Sequence, residues 1–86
     1  MNTEEQIYSK CQDALLGGEG SWSVQSTGER LAVALVLNRA DWLIKMGYTM
    51  ADAIRRIGPD WLMHIPNVAR RIESMKSARG SRNRPL

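Results

Sequence analysis

Apolar positions along most of the chain recur at helical rather than strand intervals. Ile7, Tyr8, Cys11, Ala14 and Leu15 follow three- and four-residue steps, the spacing that lines one face of a helix. Thr3 and Gln6 stand ahead of them at the spacing of a capping box. The pattern predicts an amphipathic helix over residues 4–16, ended by Gly17 and Gly18. Glycine stops helices because it takes the left-handed conformation without a steric penalty. Residues 17–28 are rich in Gly and Ser, and within them Trp22 and Val24 alternate with Ser21, Ser23 and Gln25. That alternation predicts a loop with a short extended piece, one face of which lays Trp22 on the helices.

Ser26 and Glu29 form a second capping box. The apolar run Leu31 to Leu37 has the length of a buried strand, but a cap precedes it and Ala and Leu favour helix. Helical spacing also continues through Trp42, Leu43 and Met46, so residues 28–46 are predicted as one helix, the most buried of the fold, ended by Gly47. Thr49 caps a short helix whose first turn carries Asp52, a charge suited to the helix dipole. Met50, Ala53, Ile54 and Ile57 form its expected inner face, and Gly58 and Pro59 stop it. Residues 59–64 allow one more turn, carrying Trp61 and Leu62. Pro66 suits the first turn of a last helix, in which Val68, Ile72 and Met75 share a face. Arg79 would fall on that same face, so the helix is expected to fray there. The fold class that follows is all-α: a compact bundle of about four helices with a Gly/Ser-rich loop after the first. A single domain is expected over residues 1–78 and a flexible, disordered basic tail over 79–86.

A chain of 86 residues has room for one domain, and one that buries only about 60–65% of its unfolded surface. Its single cysteine, Cys11, excludes an intrachain disulfide and fits a reducing compartment. Glu4 and Glu5 occupy the place where a signal peptide carries positive charge, and the longest apolar run, Leu31 to Leu37, is too short to cross a bilayer. The expected location is the cytoplasm, with no membrane span.

Charge changes the picture more than composition does. The net charge is +3, yet residues 1–65 hold six Lys/Arg against eight Asp/Glu, a net of −2. Residues 66–86 hold six against one, a net of +5. A basic block at one end suggests an anionic partner, most often nucleic acid. Arg55, Arg56, Asn67, Arg70, Arg71 and Lys76 are expected on the outward faces of the last two helices, with Arg79, Arg82 and Arg84 following. Together they are the candidate phosphate-contacting residues. A helix-turn-helix fits poorly, because the stretch from Gly58 to Pro66 exceeds the usual turn.

Chemistry has little footing. The lone histidine, His64, and the lone Cys11 give no metal-ligand pattern, and Gly17-Gly18-Glu19-Gly20 lacks the Lys-Ser/Thr of a phosphate-binding loop. No catalytic residue, metal, cofactor or small-molecule substrate is expected. Arg39 stands out: in an unbroken helix over 28–46 it falls opposite the polar stripe, among Ala32, Leu35, Val36, Leu43 and Met46. It would then be an internal ion pair, a snorkelling stem or an interface anchor. The sequence therefore points to a small non-enzymatic binding protein, nucleic-acid-associated or regulatory, working through its basic C-terminal end. The alternative is a protein-interaction module, inhibitor or adaptor, with a homodimer among its forms, using Arg39 and exposed Trp22 or Trp61.

Overall fold

The chain enters its first helix through Asn2, whose side-chain oxygen accepts the Glu5 N–H at 2.8 Å, one residue ahead of the expected Thr3 cap. A computed structural model describes residues 2–80, with side chains through Ser77. The described residues are helical, without strand, in six segments: α1 (Thr3–Ser23), α2 (Thr27–Val36), α3 (Ala40–Met46), α4 (Met50–Ile57), the single turn α5 (Pro59–Leu62) and α6 (Ile65–Gly80). The all-α class stands. The expected four-helix count and the Gly/Ser loop give way to a different arrangement, for two physical reasons.

First, Gly18 interrupts α1 but does not end it. Its φ of 68° and ψ of −158° break the helical path, and helical turns then resume as far as Ser23. A Cβ at Gly17 would collide with the Ser21 side chain, which returns over it. The anchor of this extra turn is Trp22. It is 2% exposed, stacks on Trp42 with ring centroids 4.4 Å apart and planes 20° apart, and donates its indole N–H to the Arg30 carbonyl at 3.0 Å. Burial of one large ring overrides the poor helix propensity of Gly and Ser. Trp22, expected on the helices but also as an exposed anchor, is a core residue.

Second, the helix expected over 28–46 is two helices. The Ser26–Glu29 capping box forms as read, with reciprocal bonds of 3.3 and 3.0 Å. At the other end Asn38 adopts φ 58°, the Asn38 N–H donates to the Leu35 carbonyl at 3.2 Å and the Arg39 N–H to the Ala34 carbonyl at 2.8 Å. This pair of bonds is a Schellman stop, with Asn in place of the commoner Gly. Gly47, at φ 80°, repeats it at the end of α3, where the Gly47 and Tyr48 N–H groups reach the Ile44 and Leu43 carbonyls at 2.9 Å each.

Helix α2 is the centre of the fold, against which α1, α3, α4 and α6 pack. Leu31, Ala32, Val33 and Ala34 are buried in succession, which a helix achieves only when neighbours surround it. Ile7, Cys11 and Ala14 come to this core from α1, Trp42 and Leu43 from α3, Ala53 from α4, and Val68 and Ile72 from α6. Met75 lies partly buried beside them. Burial pushes the Cys11 thiol up to about 12, so it stays protonated at neutral pH. The expected inner face of α4 is only partly covered: Ala53 is buried and Ile57 packs against the core, while Met50 is 51% and Ile54 43% exposed. No described helix is long and apolar enough to cross a membrane.

Candidate nucleic-acid interface

With Val68 and Ile72 fixing one side of α6 to the core, residues offset from them face outward. Asn67, Arg70 and Ser74 recur at three- and four-residue steps and are exposed. Arg70 Nη1 donates to Asn67 Oδ1 at 3.3 Å, a neutral partner that leaves the guanidinium charge uncompensated at that contact. Together with Glu4 and Tyr8 from α1, and Arg71 and Met75 from α6, they line an open groove of about 660 Å³. Three sequence-predicted residues, Asn67, Arg70 and Arg71, thus share one surface.

Arg71 is placed there for a different task. Its Nη1 lies 2.8 Å from Glu5 Oε2 and 3.1 Å from Glu4 Oε2, and its guanidinium stacks 3.9 Å from the Tyr8 ring centroid. Hydrogen bonding to Glu5, then to Glu4, holds its pKa above the ordinary arginine value. Arg71 fastens α6 to the start of α1, so its charge is already answered by carboxylates. Tyr8 Oη and Gln12 Nε2 each reach Met75 Sδ at 3.8 Å, a looser second fastening. His64 Nδ1 stands 3.9 Å from Glu4 Oε1 at the same end.

The remaining predicted residues are divided. Lys76 is exposed on α6. Arg79 and Gly80, at the expected start of the fraying tail, are still helical backbone of α6, and the rest of the expected tail, with Arg82 and Arg84, lies outside the described residues. Arg55 and Arg56 are exposed on α4, not on the α6 groove. Arg55 pairs with Asp52 at 2.7 Å, and the Asp52 carboxyl is held below its ordinary value by the Thr49 hydroxyl and then by Arg55. Arg56 lines a separate groove with Glu29, Ile57 and Trp61.

Trp61 is partly buried against the core. Arg39 is not buried: its side chain is 45% exposed, pairs with Asp41 at 2.8 Å and stacks 4.2 Å from the Trp42 ring centroid. The hydrogen bond to Asp41 raises its pKa. The helical wheel that placed it inside assumed a helix that Asn38 breaks, so neither a buried ion pair nor a core stem describes it. Tyr8, Glu4 and Glu5 are the site residues that sequence reasoning missed. The signal was present: an acidic pair opens the first helix of a chain whose only strongly basic segment is its last. No cluster of three His, Cys, Asp or Glu side chains able to hold a metal occurs among the described residues. Comparisons with protein-family models, with curated proteins and with solved structures find no match to this chain.

Proposed function

We propose that the chain is a small non-enzymatic binding protein that contacts nucleic-acid phosphate through the outer face of α6 and the basic segment that follows it. The observation that carries this reading is Arg70. It stands exposed beside Asn67 and Ser74 in the groove with Tyr8, with no carboxylate partner of its own among the described residues. Lys76 extends the face, and Arg79, Arg82 and Arg84 continue the charge along the sequence. Arg71 positions the helix and is not counted among the contacts. Arg55 and Arg56 belong to another surface and are a second set to test.

Fluorescence anisotropy with short duplex DNA and with RNA, at several salt concentrations, tests the reading. Each phosphate neutralised on duplex DNA contributes about 0.9 to the slope of log affinity against log salt. Removing residues 79–86 deletes three arginines and is expected to flatten the slope by at most about 2–3 units. Arg70→Gln is expected to remove at most about one more. Absence of binding to either nucleic acid at low salt defeats the proposal.

A second reading rests on α4. Met50 and Ile54, one helical turn apart, are 51% and 43% exposed on a helix otherwise docked by Ala53 and Ile57. A face of this kind suits a protein partner or a second copy of the chain. Sedimentation of the wild type and of Ile54→Asp tests the homodimer form: concentration-dependent association lost in the variant supports it, and a monomer at all concentrations removes it.

A further inference from the structure

A second cationic side chain is held in the fold without an anion. Arg30, in the first half of α2, is half-buried, and its Nε is sealed from water with no acceptor. No side-chain hydrogen bond or ion pair engages its guanidinium among the described residues; it lies over the Trp22 ring, 5.6 Å from the centroid, as a cation–π contact. Arg30 lines a groove of about 410 Å³ between the end of α1, the start of α2 and the end of α3. Thr27 and Tyr48 bring two hydroxyl-bearing side chains to its lining, and Lys45 a second cation, while the Ser23 hydroxyl, also of the lining, donates to the Gly20 carbonyl at 3.1 Å. Lys45 is held by Glu19 at 2.6 Å, with side chains 54% and 47% exposed. An exposed pair of this kind contributes little and rearranges readily. Arg30, Lys45 and Glu19 leave the groove with a net charge of +1.

A partly desolvated guanidinium is costly unless its donors meet an acceptor. With Nε sealed, its two terminal nitrogens are the donors left to meet the oxygens of an oxyanion end-on, and the Thr27 and Tyr48 hydroxyls can supply further donors in other directions. That three-dimensional arrangement suits a tetrahedral group. The groove's volume falls in the range of small-molecule sites, roughly 300–1,000 Å³, and it shares no residue with the α1–α6 groove. We propose that this groove binds a phosphate group, free or as the monoester end of a small molecule, with Arg30 as its principal donor.

Trp22 supplies a built-in reporter, because its indole N–H donates to the Arg30 carbonyl. The experiment is a two-dimensional NMR titration of the full chain with inorganic phosphate, then with a sugar phosphate, against chloride at matched ionic strength. Saturable shifts of the Trp22 indole and of the Ser23, Thr27 and Arg30 amides are expected with phosphate and not with chloride. Tighter binding of the sugar phosphate identifies a monoester ligand, and equal or weaker binding identifies free phosphate. Arg30→Gln is expected to weaken binding at least about tenfold, as for loss of one charge-assisted pair. Arg30→Lys keeps the charge, guards against a folding failure of the glutamine variant, and is expected to weaken binding several-fold. Tyr48→Phe is expected to lose less. Shifts reproduced by chloride, affinity unchanged in Arg30→Lys, or phosphate shifts confined to Asn67 and Arg70 overturn the proposal.

Discussion

Replacing Trp22 by Ala separates the observed fold from the loop that residues 17–28 suggest. In the structure Trp22 is 2% exposed, stacked on Trp42 and hydrogen-bonded to the Arg30 carbonyl. Truncating a buried aromatic costs about 3–5 kcal/mol. The lost aromatic stack, about 0.5–1.5 kcal/mol, is part of that cost and places Trp22→Ala toward its upper end, at roughly 4–5 kcal/mol. An 86-residue domain at about 0.05–0.15 kcal/mol per residue has roughly 4–13 kcal/mol in all. The substitution therefore removes a third of the stability at the least, and the whole of it at the low end. At about 4–8 °C per kcal/mol for a domain of this size, the midpoint falls by roughly 15 °C or more. Trp22→Phe separates the contributions. It keeps a stacked ring but loses the indole N–H bond, a net contribution of about 0.5–1.5 kcal/mol, plus the volume of the second ring. Its expected cost is roughly 1–3 kcal/mol. Urea unfolding followed by far-UV circular dichroism gives both values. A cost below about 1 kcal/mol for Trp22→Ala, the range of surface substitutions, would refute the packing of residues 19–23 and return them to a loop.

Three further predictions follow from the same geometry. Arg39→Ala is expected to leave the thermal midpoint close to wild type, because Arg39 is exposed and paired within its own helix start; a collapse of stability in a melting curve would restore a buried role. Cys11 is expected to resist alkylation by iodoacetamide in the folded protein and to react at the rate of unfolding, since burial holds its thiol neutral. Its contribution to stability is complete below the unfolded thiol value of 9.0 and declines as the pH rises toward about 12, so fast native labelling at neutral pH would contradict the burial. Burial raises the Glu29 carboxyl pKa, but the Ser26 backbone N–H, Gln6, the Ser26 hydroxyl and Lys10 together outweigh it and hold the pKa below 4.5. That contribution is present above the ordinary carboxylate range and is lost as pH falls through the lowered value. Glu29→Gln should therefore make stability below pH ~4.5 less pH-dependent than in wild type, as read by acid titration of the dichroism signal.

What the sequence made legible is what local chemistry decides. The Ser26–Glu29 capping box, the Thr49 cap, the Gly47 and Gly58 stops and the inward Val68 and Ile72 all stand where their residue types placed them. The misreadings come from effects that act at a distance or on a single backbone torsion. Nothing local in Gly20-Ser21-Trp22-Ser23 favours helix; the gain lies across the fold at Trp42 and Arg30. Asn38 is the second commonest residue type at a left-handed helix end, but it follows an apolar run that reads onward without a gap. Once that torsion is missed, the helical wheel carries Arg39 from the surface to the interior. In the candidate interface, the α6 stripe was legible from its three- and four-residue spacing. The claim of Glu4 and Glu5 on Arg71 was not, because 66 residues or more separate the partners.

That separation bears on how the protein is made. Helices α1 and α6 lie side by side, with Glu4 and Glu5 against Arg71 and Tyr8 and Gln12 against Met75. As synthesis proceeds from the N-terminus, the faces of α1 and α2 that pack against α6 remain uncovered until residues 68–75 have been added and released to fold back. Until then the growing chain offers a hydrophobic slot shaped for an amphipathic helix, and any such helix nearby competes with its own last one. Bringing the chain's own helix back costs loop-closure entropy, a cost that grows only slowly with the length of the intervening chain. The Arg71 fastening, with its charge, its aromatic stack and its two carboxylates, discriminates against an apolar substitute that lacks them.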